Sequence, residues 1–173
     1  MPEIKAATLE DAPVLAAIGA EVWTGTYQRD GVSPFFAEYV LSTFTSANMH
    51  ALLNDENEQL FVCALQDGLV GYIRLSLNSK GEHPDCTGPE IATLYVQPRH
   101  HGKGIGAKLL NAAYSSALEH GRRSVWLTTN SENEPAIGFY KNQSFSHVGE
   151  MEYPIGDRTY TNHVFVRKLD EQP

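Results

Sequence analysis

The stretch Gly102-Lys103-Gly104-Ile105-Gly106 carries most of the information about the fold of this chain. An apolar run, Ile91–Val96, precedes it, and an amphipathic run that begins at Ala107 follows it. This order predicts a strand, a glycine-rich turn and a helix, which together present backbone N–H groups and the positive end of the helix dipole to a phosphate. Glycine suits this role because it accepts positive φ and lets an anion approach the backbone closely. The alternative is a glycine-rich turn that only starts a helix.

The spacing of these glycines excludes two common phosphate-binding motifs. A nucleotide-binding P-loop ends in Gly-Lys-Ser/Thr, and the sequence contains no such ending here. The dinucleotide fingerprint requires Gly-x-Gly-x-x-Gly, whereas these glycines read Gly-x-Gly-x-Gly. The predicted turn therefore either binds a different phosphate-bearing ligand or only starts a helix.

The composition indicates one globular domain, assigned to residues 1–173, with 42% hydrophobic and 20% charged residues. A formal net charge of −8 disfavours a nucleic-acid binder. No apolar run approaches the length of a membrane span. The two cysteines, Cys63 and Cys86, do not form a disulfide framework, so a cytoplasmic protein is expected. Adjacent histidines such as His100 and His101 rarely converge on one ion, so no metal is expected.

The periodicity of apolar residues and the turn signals predict the order of the elements. Strands are predicted at residues 2–8, 59–65, 69–77, 91–96, 124–129, 146–153 and 160–169. Helices are predicted at residues 11–22, 33–41, 46–54, 104–119 and 134–142, with an interruption at 23–27. Hairpin strands followed by strand, helix, strand and helix indicate an α+β domain around one mixed sheet.

Two spaced motifs in this order of elements resemble the GNAT superfamily of N-acetyltransferases. The first, His101-Gly102-Lys103-Gly104-Ile105-Gly106, is similar to the family's Gln/Arg-x-x-Gly-x-Gly/Ala. The second, Asn133-Glu134-Pro135-Ala136-Ile137-Gly138-Phe139-Tyr140, is similar to Asn-x-x-Ala-x-x-Phe-Tyr. The resemblance implies a single domain with a mixed, mostly antiparallel central sheet flanked by helices. Trp23-x-x-Thr26-Tyr27 and the segment from Gly149 to Asp157 resemble the polyamine-type, PaiA-like branch.

The sequence departs from the family pattern at two positions. His101 replaces the Gln or Arg whose side chain supports a pyrophosphate in the family, and the neighbouring Lys103 offers a compensating charge. Ser144 stands where the family has Gly before Phe145. A residue with positive φ is less favourable as serine than as glycine, so this second departure concerns the helix geometry and not the chemistry.

The resemblance implies acetyl-CoA as co-substrate and assigns the residues that bind it. Backbone N–H groups of the turn hold the pyrophosphate, and the pantetheine arm pairs with the strand at Leu94, Tyr95 and Val96. A backbone N–H near Leu94 points at the thioester oxygen. Asn133 caps the helix that follows it and contacts the pantetheine arm. The implied pyrophosphate-binding residues are His101, Gly102, Lys103, Gly104, Ile105, Gly106 and Ala107.

The catalytic residues are predicted with alternatives. Tyr140 is the expected general acid for the departing thiolate, because phenols and thiols have ordinary pKa values of about 10 and 8.5. We expect Phe139 to take the core position beside it. Thr128 occupies the position of a carboxylate base found in some relatives, so Glu90 is the remaining candidate base, acting through water; the alternative for Glu90 is an exposed strand-end carboxylate.

The predicted function is transfer of an acetyl group to a primary amine of a small molecule such as a polyamine, by direct attack in a ternary complex. Trp23 and Tyr27 are expected to form the substrate wall, or else to pack in the core. A protein lysine or N-terminal acetyltransferase is the second hypothesis, and Thr128 argues against the N-terminal version. A non-catalytic acyl-CoA-binding module is the third. The expected partner is a small-molecule amine, and a homodimer is an open possibility.

Overall fold

The computed structural model describes residues 1–66 and 68–169. Within them, seven strands form one sheet in the order β1-β2-β3-β4-β5-β7-β6. The strands are β1 Glu3–Ala6, β2 Glu58–Leu65, β3 Gly68–Ser76, β4 Glu90–Val96, β5 Ser124–Asn130, β6 Ser146–Ile155 and β7 Arg158–Lys168. The helices in the same residues are α1 Ala12–Tyr27, α2 Pro34–Thr43, α3 Ser46–Leu53, α4 Ile105–Glu119 and α5 Glu134–Asn142. None of these helices combines the length and the apolar character that crossing a membrane requires.

The predicted α+β fold with a mixed sheet is confirmed. Strands β4 and β5 run parallel, with Glu90 opposite Trp126, whereas the β1–β2, β5–β7 and β6–β7 pairs are antiparallel. Asp67, the middle residue of the predicted turn between β2 and β3, lies outside the described residues. Contacts between Cα atoms group the chain into two compact units, so the assignment of residues 1–173 to a single domain stays a prediction.

The first unit comprises residues 1–74 and 93–113. Its core is formed by buried apolar side chains from α1, α3, β2 and β3, since the apolar residues of α1 recur at helical spacing along one face. These side chains are Ala12, Leu15, Ala16, Ile18, Met49, Leu60, Val62 and Tyr72. Thr8 and Asp11 form a capping interaction before α1, with the Thr8 backbone N–H donating to the Asp11 carboxylate at 2.8 Å.

The predicted interruption of α1 at residues 23–27 is wrong, because the helix continues to Tyr27. The Thr26 hydroxyl donates to the carbonyl of Val22 at 2.7 Å, as helical threonines do. The Trp23 and Tyr27 rings also contact each other on the same face of the helix, tilted by 50° and with centroids 4.9 Å apart. These contacts offset the cost of about 1 kcal/mol that Gly25 brings to a helix interior.

The second unit comprises Leu75–Ala92 and the described residues from Tyr114 onward. The backbone of Gly88 lies close to that of Ser124, since an added Cβ on Gly88 would clash with the carbonyl of Ser124. This close approach brings the segment before β4 against the start of β5. The Trp126 indole N–H also donates to the Gly88 carbonyl at 2.9 Å. This hydrogen bond is a second link between the segment before β4 and strand β5.

The β6–β7 hairpin is longer than predicted. Its pairing runs to Ile155 opposite Arg158, so a turn of two residues, Gly156 and Asp157, replaces the longer connection predicted between the strands at 146–153 and 160–169. Gly156 has a φ of 61°, which a turn this tight requires. Pro154 lies inside β6 and is tolerated there because β6 is at the edge of the sheet.

Ser144 has a φ of 64°, the conformation in which the family uses glycine. A left-handed conformation costs an L-residue about 1–2 kcal/mol. Glycine avoids this cost but lowers the free energy of unfolding by about 0.5–1 kcal/mol, because it gives the unfolded chain more conformational freedom. We expect Ser144→Gly to raise the free energy of unfolding by about 0.5–1 kcal/mol, measured by urea denaturation. Ser144→Ala keeps the Cβ and serves as the control; an equal gain in that variant would contradict the strain argument.

Candidate active site

The glycine-rich turn before α4 has the predicted local structure. A short 3-10 turn, Pro98–His100, follows β4, and Gly102 and Gly104 then have φ values of 72° and 74°. The first bond of α4 runs from the N–H of Lys108 to the carbonyl of Gly104 at 3.1 Å. The N–H groups of residues 104–107 precede that bond and have no acceptor inside α4, which is described throughout. The turn therefore presents donors and a partial positive charge at one point.

The charged side chains of this turn bind back to its own backbone. The His101 Nε2 lies 2.7 Å from the carbonyl of Val96, and because a carbonyl only accepts, Nε2 carries the hydrogen. The Lys103 ammonium donates to the carbonyl of Arg99 at 3.2 Å. Partial burial, and after it the charges of Lys103 and Arg99, lower the pKa of the His100 imidazole. The His101 ring is thus tied to the end of β4, with Nδ1 as its second polar atom.

The strand segment predicted to pair with the pantetheine arm packs tightly on β3. An added Cβ on Gly71 would lie 2.6 Å from the carbonyl oxygen of Tyr95, so the two strands approach closely there. The N–H of Gln97 donates to the carbonyl of Val70 at 2.9 Å and extends this contact past the end of β4. The Tyr95 ring meets the Tyr72 ring edge to face at 5.7 Å. The backbone of residues 94–96 is consequently held on a packed support.

Asn133 is the N-cap of α5, as predicted. Its side-chain oxygen accepts from the N–H of Ala136 at 3.3 Å, and its carbonyl accepts from Ile137. The observed bounds of α5, Glu134–Asn142, match the predicted ones. Pro135 in the first turn favours the start of this helix, because proline there loses no hydrogen bond.

Tyr140 lies on the buried face of α5, in the second unit. It is 9% exposed, and its ring contacts those of Phe145 and Phe165 with centroids 5.6 and 6.3 Å away. Phe139 is half-buried, so the expectation that Phe139 takes the core position is wrong with respect to burial. The reason is the helical period, since Tyr140 follows the buried Ile137 by three residues and shares its face.

Glu90 begins β4 and is half-buried, so it is not the fully exposed strand-end carboxylate of the alternative interpretation. The Ser79 hydroxyl donates to its Oε2 at 2.5 Å. The thiol of Cys86 lies nearby, and burial raises its pKa. A hydrogen bond with the backbone of His83 lowers this pKa, and the negative charges of Asp85 and Glu90 raise it. Glu90 is therefore a positioned carboxylate beside a thiol that stays protonated.

Thr128 lies on β5, as the resemblance implies. Its Oγ1 accepts from the side-chain amide of the buried Asn162 at 3.3 Å. The position of a carboxylate base in some relatives is thus occupied here by a hydroxyl that is already hydrogen-bonded.

Trp23 and Tyr27 belong to an aromatic cluster within the first unit. Trp23 is 6% exposed and contacts the rings of Phe36 and Tyr39 on α2 at 5.3 and 4.9 Å, which is core packing. Tyr27 is 38% exposed and forms the accessible end of the cluster. The two α2 rings did not feature in the sequence prediction, although their spacing of three residues indicates one face of a helix.

Comparisons with known proteins agree with this geometry. The model of the acetyltransferase (GNAT) family matches residues 23–145. An uncharacterised N-acetyltransferase of Mycobacterium tuberculosis is 27% identical over 161 residues, which is 93% of this chain and 99% of that one. The streptothricin acetyltransferase of Streptomyces lavendulae is 32% identical over 96 residues, which is 55% of this chain and 48% of that one. Among solved structures, the PaiA N-acetyltransferase of Thermoplasma acidophilum in complex with coenzyme A superimposes with a TM-score of 0.80 at 18% identity, covering 98% of this chain and 99% of that one.

The chain therefore belongs to the acetyltransferase (GNAT) family. It is an N-acetyltransferase, an enzyme of the acyltransferase class, and the predicted family, fold and enzyme class are confirmed.

Proposed function

We propose that this enzyme transfers the acetyl group of acetyl-CoA to a primary amine of a small molecule by direct attack in a ternary complex. The observation that carries the proposal is the turn at residues 102–104, whose two positive-φ glycines precede the N–H groups that have no acceptor inside α4. These donors suit a pyrophosphate. The complex of the Thermoplasma PaiA enzyme with coenzyme A adds support, because that protein shares the fold.

Each remaining role in the reaction falls to a residue of this chain. Residues 101–107 bind the pyrophosphate, and the backbone of residues 94–96 aligns the pantetheine arm and polarises the thioester carbonyl. When bound, acetyl-CoA supplies an activated acyl group. Tyr140 gives a proton to the departing sulfur, and Asn133 orders the start of α5, on which Tyr140 lies. General acid catalysis of this kind contributes about 10²–10⁴ to a rate.

Glu90 is the proposed base, acting through water on the attacking amine. An amine attacks only when it is neutral, so a proton must leave it before or during attack. The Ser79 hydroxyl at 2.5 Å holds one carboxylate oxygen in place and leaves the other to accept a hydrogen bond from water. The half-buried position of Glu90 at the start of β4 limits its rotation.

We expect Glu90→Gln to lower kcat/KM at neutral pH by about 10–100-fold, because an amide cannot take a proton. The deficit should shrink as pH rises, since a growing share of the amine is then already neutral. The measurement is a pH series of thiol release with parent and variant. Ser79→Ala is the milder comparison, and a Glu90→Gln profile that overlays the parent's would exclude Glu90 as the base.

The acceptor contact is proposed for Tyr27, with Trp23 as its buried support. An ammonium group binds well over the face of an exposed aromatic ring. The net charge of −8 also favours a cationic substrate over an anionic one. A polyamine fits both features, and a cytoplasmic location remains a prediction from the cysteine content.

A screen of amine acceptors tests the proposed function. The enzyme is incubated with acetyl-CoA and spermidine, putrescine, free lysine, a lysine-containing peptide or a peptide with a free N-terminus, and the released thiol is measured. Turnover with the polyamines at low concentration supports the proposal. Turnover with the peptides alone would instead establish the protein acetyltransferase hypothesis.

A further inference from the structure

Three side chains with metal-binding atoms meet on the β6–β7 hairpin, in the second unit. His147 and Glu150 lie on β6, and His163 lies on β7. One ligand atom from each, two imidazole nitrogens and a carboxylate oxygen, lies within 4.8 Å of the others. The His147 and His163 rings are nearly perpendicular, with centroids 4.5 Å apart. The roles assigned above for acetyl transfer use none of these three residues.

A β-bulge brings the three side chains to one face. In a regular strand, residues three apart point to opposite faces, which would separate His147 from Glu150. The register instead shifts between His147 and Gly149, so that His147 lies opposite Phe165 and Glu150 lies opposite His163. Phe165 and His163 are two apart on β7 and share a face. The extra residue in β6 therefore places His147 and Glu150 on the same face as His163.

The Nδ1 atom of His163 lacks a hydrogen-bond partner although it is buried. Such buried polar atoms are rare and need an explanation. This Nδ1 lies 3.4 Å from the Glu150 Oε1, within ion-pair distance but without hydrogen-bond geometry. Two ligands of a tetrahedral zinc ion, each about 2.0–2.2 Å from the metal, lie about 3.3–3.5 Å apart. The separation of these two atoms thus matches a shared metal ion.

We propose that His147, Glu150 and His163 bind a divalent ion of the zinc class, with water in the remaining position. Two imidazoles and one carboxylate are ligands that zinc and its transition-metal neighbours accept, whereas magnesium and calcium take oxygen ligands. His147 and Glu150 are exposed, and β6 is the edge strand of the sheet, so an ion reaches the site from solvent. The bound ion joins β6 to β7 across the hairpin. The expectation that the protein binds no metal considered only His100 and His101, because the register of the hairpin is not visible in the sequence.

Zinc binding to the whole protein tests this proposal. After treatment with a chelator and its removal, the parent is titrated with zinc chloride in competition with a chromophoric chelator. We expect one ion per chain, and a weakening of at least about tenfold in His147→Ala and in Glu150→Gln, both exposed positions where the fold tolerates change. His50→Ala removes an exposed histidine on α3 and should bind zinc as the parent does.

Thermal unfolding gives an independent measurement. A ligand that binds only the folded state raises Tm in proportion to the logarithm of its concentration above Kd. Zinc should raise the Tm of the parent and of His50→Ala, and raise that of Glu150→Gln much less. The proposal is overturned if the parent binds no stoichiometric zinc, or if His147→Ala and Glu150→Gln bind zinc with the affinity of the parent. It is also overturned if the parent binds magnesium as tightly as zinc.

Discussion

Tyr140→Phe is expected to bind coenzyme A with the affinity of the parent and to lose at least about 100-fold in kcat, because the substitution removes the phenolic hydroxyl that is the proposed proton donor and keeps the ring. The ring keeps its contacts with Phe145 and Phe165, so the packing of α5 is preserved. Turnover is measured by thiol release and affinity by calorimetry, with Tm as a check on folding. The loss should appear with every acceptor amine, since the proton goes to the leaving sulfur.

Tyr114→Phe is the matched control for this prediction. Tyr114 is also buried, and its hydroxyl accepts from Arg167 at 3.2 Å. Loss of that hydrogen bond costs stability, by about 1 kcal/mol, and should leave kcat near the parent value. A Tyr140→Phe enzyme with the parent's kcat across pH would show that another group protonates the thiolate.

Gly104→Val is expected to abolish measurable coenzyme A binding while the protein still folds. Gly104 has a φ of 74°, and an added Cβ meets no heavy atom within 4 Å, so the fold itself leaves space for a side chain. A valine there projects into the space where a phosphate meets the N–H groups, and it resists positive φ. Binding is measured by calorimetry with coenzyme A.

Gly121→Val separates the loss of binding from backbone strain. Gly121 follows the C-terminal end of α4, has a φ of 72° and likewise has open space around an added Cβ. Both substitutions should therefore cost similar stability, about 1–3 kcal/mol. Only Gly104→Val should lose coenzyme A, because only its position precedes the N–H groups of a helix start. Equal losses of affinity in the two variants would contradict the phosphate-binding role.

The elements that the sequence predicted best are those whose signals are local. Helix α5 begins and ends where predicted because Asn133 caps it and Pro135 favours its first turn. The turn before α4 is equally local, since glycine adopts a positive φ at no steric cost. Ser144 also has the positive φ that its place in the family pattern implies, and as a serine it adopts that φ at a cost in stability that can be measured.

Local signals failed where partners distant in sequence decide the outcome. The glycine and threonines at residues 24–26 favour an end to α1, yet the aromatic contacts of Trp23 with α2 extend the helix to Tyr27. Ile137 and Tyr140 share one face of α5, and the packing of that face against Phe165 buries Tyr140 more deeply than the adjacent Phe139.

The sequence alone therefore determined the family, the order of the elements and the backbone of the glycine-rich turn before α4, because glycines, caps and apolar periods act over a few residues. Tertiary structure decided the side-chain contacts that no local motif specifies. It turned the His101 ring back onto the carbonyl of Val96 and placed Ser79 against Glu90. It also brought His147 and Glu150 to His163, because strand register and a single bulge set which side chains share a face, and no local pattern specifies either.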